Sequence, residues 1–287
     1  MTLRHLEVFL QVLDSGSMRA AAEALYISQP SVSGVVADLE REYAVRLFER
    51  LGHKLYLTEA GKTLEKYSRH LLSLAEEMTT QMHNRSVGTQ LHIGATVTVG
   101  SCVLCPILAK LGGTPHVVVN NTRYIEQLLL QSVLDIGLIE GRITNPDLIV
   151  QPVMEDTLVL ACTPDHPFAH RKSIPISKLQ NQPIIMRESG SGTRSIIEQA
   201  LAISNTTVDV VWECNNLDSI LSAVKCGLGL SVLSFRLLEN EVAEGNLVAV
   251  PITGCNLHRQ FSLVYHRDKF ISPSLSRFIE FCSHYEK

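Results

Sequence analysis

The sequence predicts a multidomain α+β protein with a helical N-terminal part, a long connecting helix and a C-terminal α/β part. Its 287 residues exceed the roughly 150 residues expected of one domain. Before residue 54 no run alternates as a strand does, and Ala, Leu and Glu, which favour helices, are frequent. After residue 88, short β-rich runs alternate with helical stretches and Gly or Pro breaks, as in α/β domains. We therefore divide the chain into residues 1–58, 59–87 and 88–287.

The composition indicates folded domains without a strong charge. Hydrophobic residues make up 45% of the chain and charged residues 19%, which excludes a disordered protein. Lys and Arg number 25 against 29 Asp and Glu, so the net charge is −4. This balance argues against a strongly basic protein that coats nucleic acid, and it predicts modest non-specific DNA affinity for each monomer.

Nothing in the sequence predicts export or membrane insertion. No run approaches the ~18 consecutive apolar residues of a membrane helix, and the start lacks the basic head and apolar run of a signal peptide. We expect a cytoplasmic protein with no membrane contact. In that compartment the seven scattered cysteines are expected to be mainly small buried hydrophobic residues.

The N-terminal pattern favours a helix-turn-helix. Ser17 and Ser28 are suitable N-caps for two successive short helices, and Pro30 falls in a first turn, where its missing N–H is harmless. The second of these helices has an apolar stripe, and toward its other side lie small neutral residues that can read base edges: Gln29, Ser31, Ser33 and Gly34. From the pattern alone, a generic three-helix bundle with a polar face remains the alternative.

Residues 47–58 predict a short hairpin with Gly52 near its tip. Arg50, His53 and Lys54 cluster there, so the hairpin can touch phosphates as a wing does. Residues 59–83 predict a long helix whose apolar residues recur near heptad spacing: Leu64, Leu71, Leu74 and Met78. This spacing favours dimerisation between two such helices, and burial against its own chain is the alternative.

The first 65 residues closely resemble the LysR-type transcriptional regulator family, without gaps. The residues that carry the resemblance are Phe9, Gly16-Ser17, Ala20-Ala21, Leu25, Ser28-Gln29-Pro30-Ser31-Val32-Ser33, Leu39-Glu40, Leu47-Phe48-Glu49-Arg50 and Leu57-Thr58-Glu59-Ala60-Gly61. The resemblance implies a winged helix-turn-helix, a linker helix that pairs two chains, and a two-lobed effector domain. Family members often carry Arg or Lys at the position of Gly34, so the operator preference can differ here.

The resemblance implies double-stranded promoter DNA, a small-molecule effector, RNA polymerase and further copies of this chain as partners. Two chains would pair through residues 59–83 and associate further into a tetramer. In the DNA complex, Ser28, Gln29, Pro30, Ser31, Ser33 and Gly34 would lie in the major groove. Arg50, His53 and Lys54 would contact the backbone or the minor groove, and Arg19 would contact phosphates. Each dimer should bind half-sites ~10 bp apart or at multiples of that spacing.

The α/β part contains two successive sets of strands and helices. The first set, over residues 91–139, has a βαβαβ rhythm that predicts a largely parallel sheet, and the second set begins near Leu158. Residues 257–265 predict a return crossing, and 273–285 a terminal helix. This layout resembles the family's effector domain, itself similar to periplasmic binding proteins. We assign about 88–161 and 267–287 to a first lobe, and about 162–266 to a second.

Two strand-to-helix turns are candidate effector sites, because open α/β sheets bind ligands beyond the carboxyl ends of their strands. Hydroxyls and free N–H groups at these turns favour an anion or carboxylate. The candidate residues are Thr96, Thr98, Ser189, Gly190, Ser191, Gly192 and Thr193, with Asn121 and Arg142, at the ends of neighbouring strands, as weaker ones. We predict a small anionic metabolite as co-inducer in the cleft between the lobes; ordinary helix caps are the alternative.

Other functions have less support in the sequence. Cys102-x-x-Cys105 has redox spacing, and Cys214 with Cys226 is a second pair to consider, so a thiol-based redox-sensing regulator of the same architecture is an alternative. A solute-binding protein or an enzyme is a further one, but no catalytic constellation or metal-binding set emerges. We therefore expect no enzyme activity, no metal and no cofactor other than the co-inducer.

Overall fold

The structure, a computed structural model, describes residues 1–51, 54–83 and 90–285, and the predicted DNA contact His53 lies outside them. The chain forms two compact units, of which the second begins at Gln90. The described elements of the first unit are α1 (Leu3–Ser15), α2 (Met18–Ala24), α3 (Gln29–Tyr43), β1 (Phe48–Leu51), β2 (Lys54–Leu57) and α4 (Glu59–His83).

Side-chain caps define the helices of the first unit. Ser17 accepts a hydrogen bond from the Ala20 backbone N–H and begins α2, and Ser28 does the same for the Ser31 N–H and begins α3. Gly16 ends α1 in the left-handed conformation at φ +70°, where a glycine has no Cβ penalty. The local sequence therefore sets the turn between α2 and α3, as predicted.

The hairpin and the first three helices share one apolar core. Phe9 of α1 and Phe48 of β1 are buried with ring centroids 5.4 Å apart. The β1 and β2 strands pair antiparallel, and Thr58 then accepts from the Gly61 N–H at 3.0 Å as α4 begins. The observed unit is a winged helix-turn-helix followed by a long helix.

The second unit alternates strands and helices. Up to the middle of the chain it contains β3 (His92–Thr96), α5 (Val97–Val99), a π-helical segment (Gly100–Leu104), α6 (Cys105–Leu111), β4 (His116–Asn120), α7 (Thr122–Leu130), β5 (Ile136–Ile139) and β6 (Leu148–Cys162). It continues with β7 (Ile174–Pro175), a 3-10 turn (Ile176–Leu179), β8 (Pro183–Arg187), α8 (Gly192–Ile203), β9 (Asp209–Cys214), α9 (Leu217–Lys225), β10 (Ser231–Ser234), α10 (Phe235–Ala243), β11 (Val248–Val250), β12 (Ile252–Thr253), β13 (His258–His266) and α11 (Pro273–Ser283).

Two crossing strands connect the lobes of this unit. The 15-residue β6 pairs antiparallel with β13 over its first part and with β10 and β11 over its last part. In the first lobe β3 pairs in parallel with β4 and β5, whereas β13 runs antiparallel to β5. The prediction of a largely parallel sheet therefore holds for β3, β4 and β5 but not for the crossing strands.

The lobe boundaries differ from those predicted. We assigned residues 162–266 to the second lobe, but Phe261 and Leu263 of β13 pack in the first core, with Ile93 and Phe278. Conversely, Leu158 and Leu160, predicted in the first lobe, belong to cores of the second. The reason is that β6 and β13 each change lobe partway along the chain, which hydrophobic patterning along a single strand does not mark.

The structure also contains α10, β11 and β12, which the sequence analysis did not predict. Helix α10 follows β10 directly, and Ser234 caps it by accepting from the Arg236 N–H at 3.2 Å. Among the residues described, no helix is long and apolar enough to cross a membrane.

Candidate DNA-binding face and interlobe polar cluster

The N-terminal part of α3 presents a small polar face. Gln29, Pro30, Ser31 and Gly34 are exposed, and Ser33 is half-buried. Gln29 Nε2 donates to Ser33 Oγ at 3.0 Å, so the amide is held over the first turn of the helix. Such neutral donors and acceptors match base edges in a major groove.

Gly34 leaves open space on this face. A Cβ built at Gly34 meets no atom within 4 Å among the described residues, so the position accepts a larger side chain. Ser28, also a predicted contact, already uses its hydroxyl as the cap of α3 and lies 2.7 Å from Ser31 Oγ.

Charged residues around the face are largely paired within the unit. Arg19 is exposed and forms an ion pair with Glu23 at 3.1 Å, one turn along α2. Glu40 turns away from this face, because its Oε1 accepts from the Leu47 backbone N–H at 2.8 Å at the start of the hairpin. Of the predicted wing residues, Arg50 lies on β1 and Lys54 on β2.

Helix α4 has two apolar faces. Leu64 and Leu72 pack on the core of the first unit. Leu71, Leu74 and Met78 form a stripe that is 38%, 40% and 58% exposed, respectively. The heptad-spaced residues therefore differ in their contacts. Leu64 packs against its own chain, whereas the stripe is exposed and could pack against a partner.

Four of the predicted effector residues are buried side chains at strand ends or helix starts of the two lobes. Thr96 and Thr98 are buried at the end of β3 and in α5, and Ser191 and Thr193 are buried at the start of α8. Ser189 is exposed, as is the weaker candidate Arg142.

Glycines allow the lobes to approach closely. A Cβ at Gly192 would lie only 2.6 Å from Cα of Gly141 in the other lobe, which real Cβ atoms do not tolerate. A Cβ at Gly190 would lie 3.4 Å from Asn121 Cγ, and the Arg123 N–H donates to the Gly190 carbonyl at 3.4 Å. Gly190 thus lies against Asn121, and Gly192 lies against Gly141 and Thr122; the effector site itself stays a prediction.

A buried charged network, which the sequence analysis missed, lies beside these residues. Arg259 of β13 donates from Nε to Asp156 Oδ2 at 2.6 Å and from Nη1 to Thr193 Oγ1 at 2.9 Å. Ser234 Oγ donates to the other Asp156 oxygen at 2.6 Å. Thr193 Oγ1 in turn donates to Glu140 Oε1 at 3.3 Å. We call Glu140, Asp156, Thr193, Ser234 and Arg259 the interlobe polar cluster.

Two residues of this cluster, Glu140 and Arg259, are among those with buried polar atoms that lack a partner. Within the described part of the chain, the second unit's buried side-chain atoms that lack a hydrogen bond are Thr96 Oγ1, Thr98 Oγ1, Thr122 Oγ1, Glu140 Oε2, Arg187 Nη1 and Arg259 Nη2. Each lies on a residue at or near the end of a strand, at the start of a helix or on a crossing strand. Because an unsatisfied buried polar group destabilises a fold, such atoms are a feature of binding sites.

The thiol next to the cluster is held protonated. Burial, followed by the nearby carboxylates of Asp156 and Glu140, raises the pKa of Cys102 to about 12. Burial also raises the pKa of Cys162 to about 11 and that of Cys282 to about 12. Since the thiolate is the reactive form, none of these three is suited to oxidant sensing.

The missed residues carried weak sequence signals. Asp156 and Glu155 interrupt an otherwise apolar strand, and Glu140 follows the apolar run of β5. Their partner Arg259 is about a hundred positions further along the chain, so the charges meet only because β13 pairs antiparallel with both β5 and β6.

A winged helix-turn-helix unit followed by a two-lobed α/β unit is the architecture of a ligand-responsive transcriptional regulator. The family description "Bacterial regulatory helix-turn-helix protein, lysR family" matches residues 3–62, and "LysR substrate binding domain" matches residues 84–286. The chain belongs to the LysR family of transcriptional regulators.

Similar proteins cover nearly the whole chain. The HTH-type transcriptional regulator YeiE of Escherichia coli (strain K12), itself uncharacterized, is 35% identical over 98% of this chain and 97% of its own. A variant of full-length OxyR from Pseudomonas aeruginosa has the same fold, with a TM-score of 0.72 at 23% identity over 99% of this chain and 93% of that one. The regulatory domain of Synechocystis CcmR in complex with 2-PG is 26% identical, with a TM-score of 0.65, over 69% of this chain and 97% of that one.

Proposed function

We propose that this LysR-family regulator binds promoter DNA through the polar face of α3 and the wing. The observation that supports the docking is the exposed row Gln29, Pro30, Ser31 and Gly34 on the helix that follows the turn. Arg19, Ser28 and Ser33 would complete the face, and Arg50, His53 and Lys54 of the wing would contact the DNA backbone.

DNA binding is tested with the promoter fragment of the protein's own gene. Fluorescence anisotropy at a series of salt concentrations should give a log Kd that rises steeply with log salt, because phosphate contacts release counterions. Full-length protein that binds this fragment no better than a scrambled one, or without salt dependence, contradicts the proposal.

Two chains would pair through the exposed stripe of α4. Leu71, Leu74 and Met78 occupy one side of this helix, and their exposure leaves apolar surface that a second α4 can bury. Association of effector domains into a tetramer would then bring two dimers onto one promoter, where contact with RNA polymerase would occur in the cytoplasm.

The effector would be a small anionic metabolite held between the lobes. The observation that supports this site is the set of buried hydroxyls without partners on Thr96, Thr98 and Thr122, counted over the described residues. Asn121, Gly190, Ser191, Gly192 and Thr193 line the same junction, and the N-terminus of the 12-residue α8 favours a negative group there. The CcmR regulatory domain in complex with 2-PG provides a precedent.

Calorimetric titration of candidate acids tests this site. We expect Thr98→Val and Ser191→Ala each to weaken binding by roughly tenfold, the loss of one hydrogen bond to a charged group. Ser195→Ala, an exposed position one turn further along α8, serves as the control. Equal affinity in both test variants and the control would exclude these residues from the site.

A further inference from the structure

The interlobe polar cluster has one carboxylate more than its arginine satisfies. Each oxygen of the Asp156 carboxylate accepts a hydrogen bond of 2.6 Å, one from Arg259 Nε and the other from Ser234 Oγ. Glu140 has fewer donors, because its Oε1 lies 3.8 Å from Arg259 Nη1, beyond hydrogen-bond distance, and receives only the hydroxyl of Thr193. The two carboxylates therefore share one guanidinium, and Asp156 uses most of it.

Glu140 and Arg259, which are 3.8 Å apart at their nearest charged atoms, each have a further side-chain atom without a hydrogen-bond partner among the described residues. Among described residues, Glu140 Oε2 and Arg259 Nη2 lack hydrogen-bond partners, although both side chains are at most 3% exposed. An ionised carboxylate offers only acceptor sites and a guanidinium offers only donors. A molecule that satisfies both must bring a donor and an acceptor group at once.

From this arrangement we infer that the effector is an acid that carries a hydroxyl or ammonium group near its acid group, and that Glu140 selects for that donor. The inference rests on the proposed function of the cleft. The ligand's acid group would face Arg259 Nη2 and the threonine hydroxyls, and its donor would face Glu140 Oε2. A simple acid without the donor would leave Glu140 Oε2 without a hydrogen bond.

Charge balance supports this choice. The formal charges of Glu140, Asp156 and Arg259 sum to −1. The half-buried Arg236, 3.9 Å from Asp156 Oδ1, offsets this negative charge. The surroundings are thus close to neutral, in contrast to the excess of positive charge expected of a site built for a multiply charged anion.

The first experiment measures stability without any ligand. Glu140→Gln keeps the shape and the bond from Thr193 but removes the spare charge, so we expect the melting temperature to rise by roughly 2–4 °C. Asp156→Asn, the matched control, breaks the saturated pair with Arg259 and should lower it by roughly 6 °C or more. Trp212, the single tryptophan, reports the transition of the α/β unit within the full chain. A fall for Glu140→Gln as well would make Glu140 a structural residue and overturn the inference.

The second experiment measures selectivity with acids that differ at one carbon. Propionate, lactate and alanine share one skeleton, have one acid group and carry hydrogen, hydroxyl or ammonium at the same position, and butyrate, 2-hydroxybutyrate and 2-aminobutyrate form a longer set. We expect a donor-bearing member to bind roughly tenfold or more tightly than its deoxy counterpart, and Glu140→Gln to abolish the difference for an ammonium but to reduce it only in part for a hydroxyl.

The outcomes separate the two proposals. If propionate or butyrate binds as tightly as its donor-bearing counterparts, the proposed site stands and the selection by Glu140 is wrong. If none of the six acids binds, the proposed site for a small acid loses its support. The melting temperatures of the two variants still decide whether the charge of Glu140 destabilises the ligand-free protein.

Discussion

Asp156 and Arg259 face each other directly across the two strands that connect the lobes, and Arg259 Nε lies 2.6 Å from Asp156 Oδ2. Both side chains are almost completely buried, at 1% and 3% exposure. The pair therefore fixes the crossing point at which the two lobes are held, and through Thr193 it links that point to the first turn of α8.

Gly34→Arg is expected to increase DNA affinity. The position is open to a larger side chain, and the added charge provides a phosphate contact that this chain lacks at the site. The slope of log K against log salt should steepen by about 0.9 for each bound subunit. Gly34→Ala is the control, because it gives the same gain of ~1 kcal/mol in helix propensity without the charge. Equal slopes for the two variants would show that residue 34 does not face the phosphates.

Gly192→Ala is expected to push the lobes apart. The new Cβ would come within 2.6 Å of Cα of Gly141, and a backbone atom cannot yield as a flexible side chain does. We expect the free energy of unfolding of the α/β unit to fall by about 1–3 kcal/mol, as measured by Trp212 fluorescence. We also expect a larger radius of gyration, as measured by small-angle scattering. Gln199→Ala, exposed on the same helix, controls for the substitution itself. An unchanged radius and melting temperature would contradict the close approach of the lobes.

Leu74→Glu combined with Met78→Glu is expected to convert dimers to monomers. The stripe on α4 is exposed within one chain, so two charges there cost little in the monomer and much in a helix–helix interface. Analytical ultracentrifugation measures the change. Thr79→Glu introduces a charge beside the stripe and should leave the dimer intact; dissociation by that control as well, or a dimer that survives the double change, would place the interface elsewhere.

The cysteines are expected to react in two groups. Cys105 and Cys226 are exposed and should be alkylated within minutes at neutral pH, whereas the buried Cys162 and Cys282 should react only as the chain unfolds. Mass spectrometry after iodoacetamide treatment separates the groups. A defined disulfide involving Cys102 after mild peroxide would instead support the redox-sensing alternative.

The same thiols predict an alkaline loss of stability. Burial raises the folded-state pKa of Cys102, Cys162 and Cys282 to about 12, 11 and 12, above the unfolded value of about 8.5. Above that lower value the unfolded chain binds fewer protons than the folded one, so stability falls as the pH rises from about 8.5 toward 12. Denaturant titrations at pH 8 and pH 10 measure the loss, and Cys282→Ala should reduce it relative to the unaltered chain.

The sequence predicted the first unit closely because its determinants are local. Ser17, Ser28 and Gly16 each act within three or four residues, through caps and a left-handed turn that any reader of the sequence can recognise. Net charge, in contrast, was a poor guide to DNA binding. The net charge of −4 is a sum over the whole chain and contains no information on where each carboxylate points. Glu40, for example, accepts from a backbone N–H and is turned away from the polar face of α3.

In the α/β unit the sequence alone determined the order of most strands and helices, the family, and the turns at Thr96–Thr98 and Ser189–Thr193 as candidate sites. Tertiary structure decided the lobe boundaries and the polar cluster. Arg259 is far from Glu140 and Asp156 in the chain, and the three become one group only when β13 pairs antiparallel with both β5, which Glu140 follows, and β6, which carries Asp156. Local propensity encodes each strand, but the register between two strands, and therefore which buried charges meet, depends on packing across the whole unit.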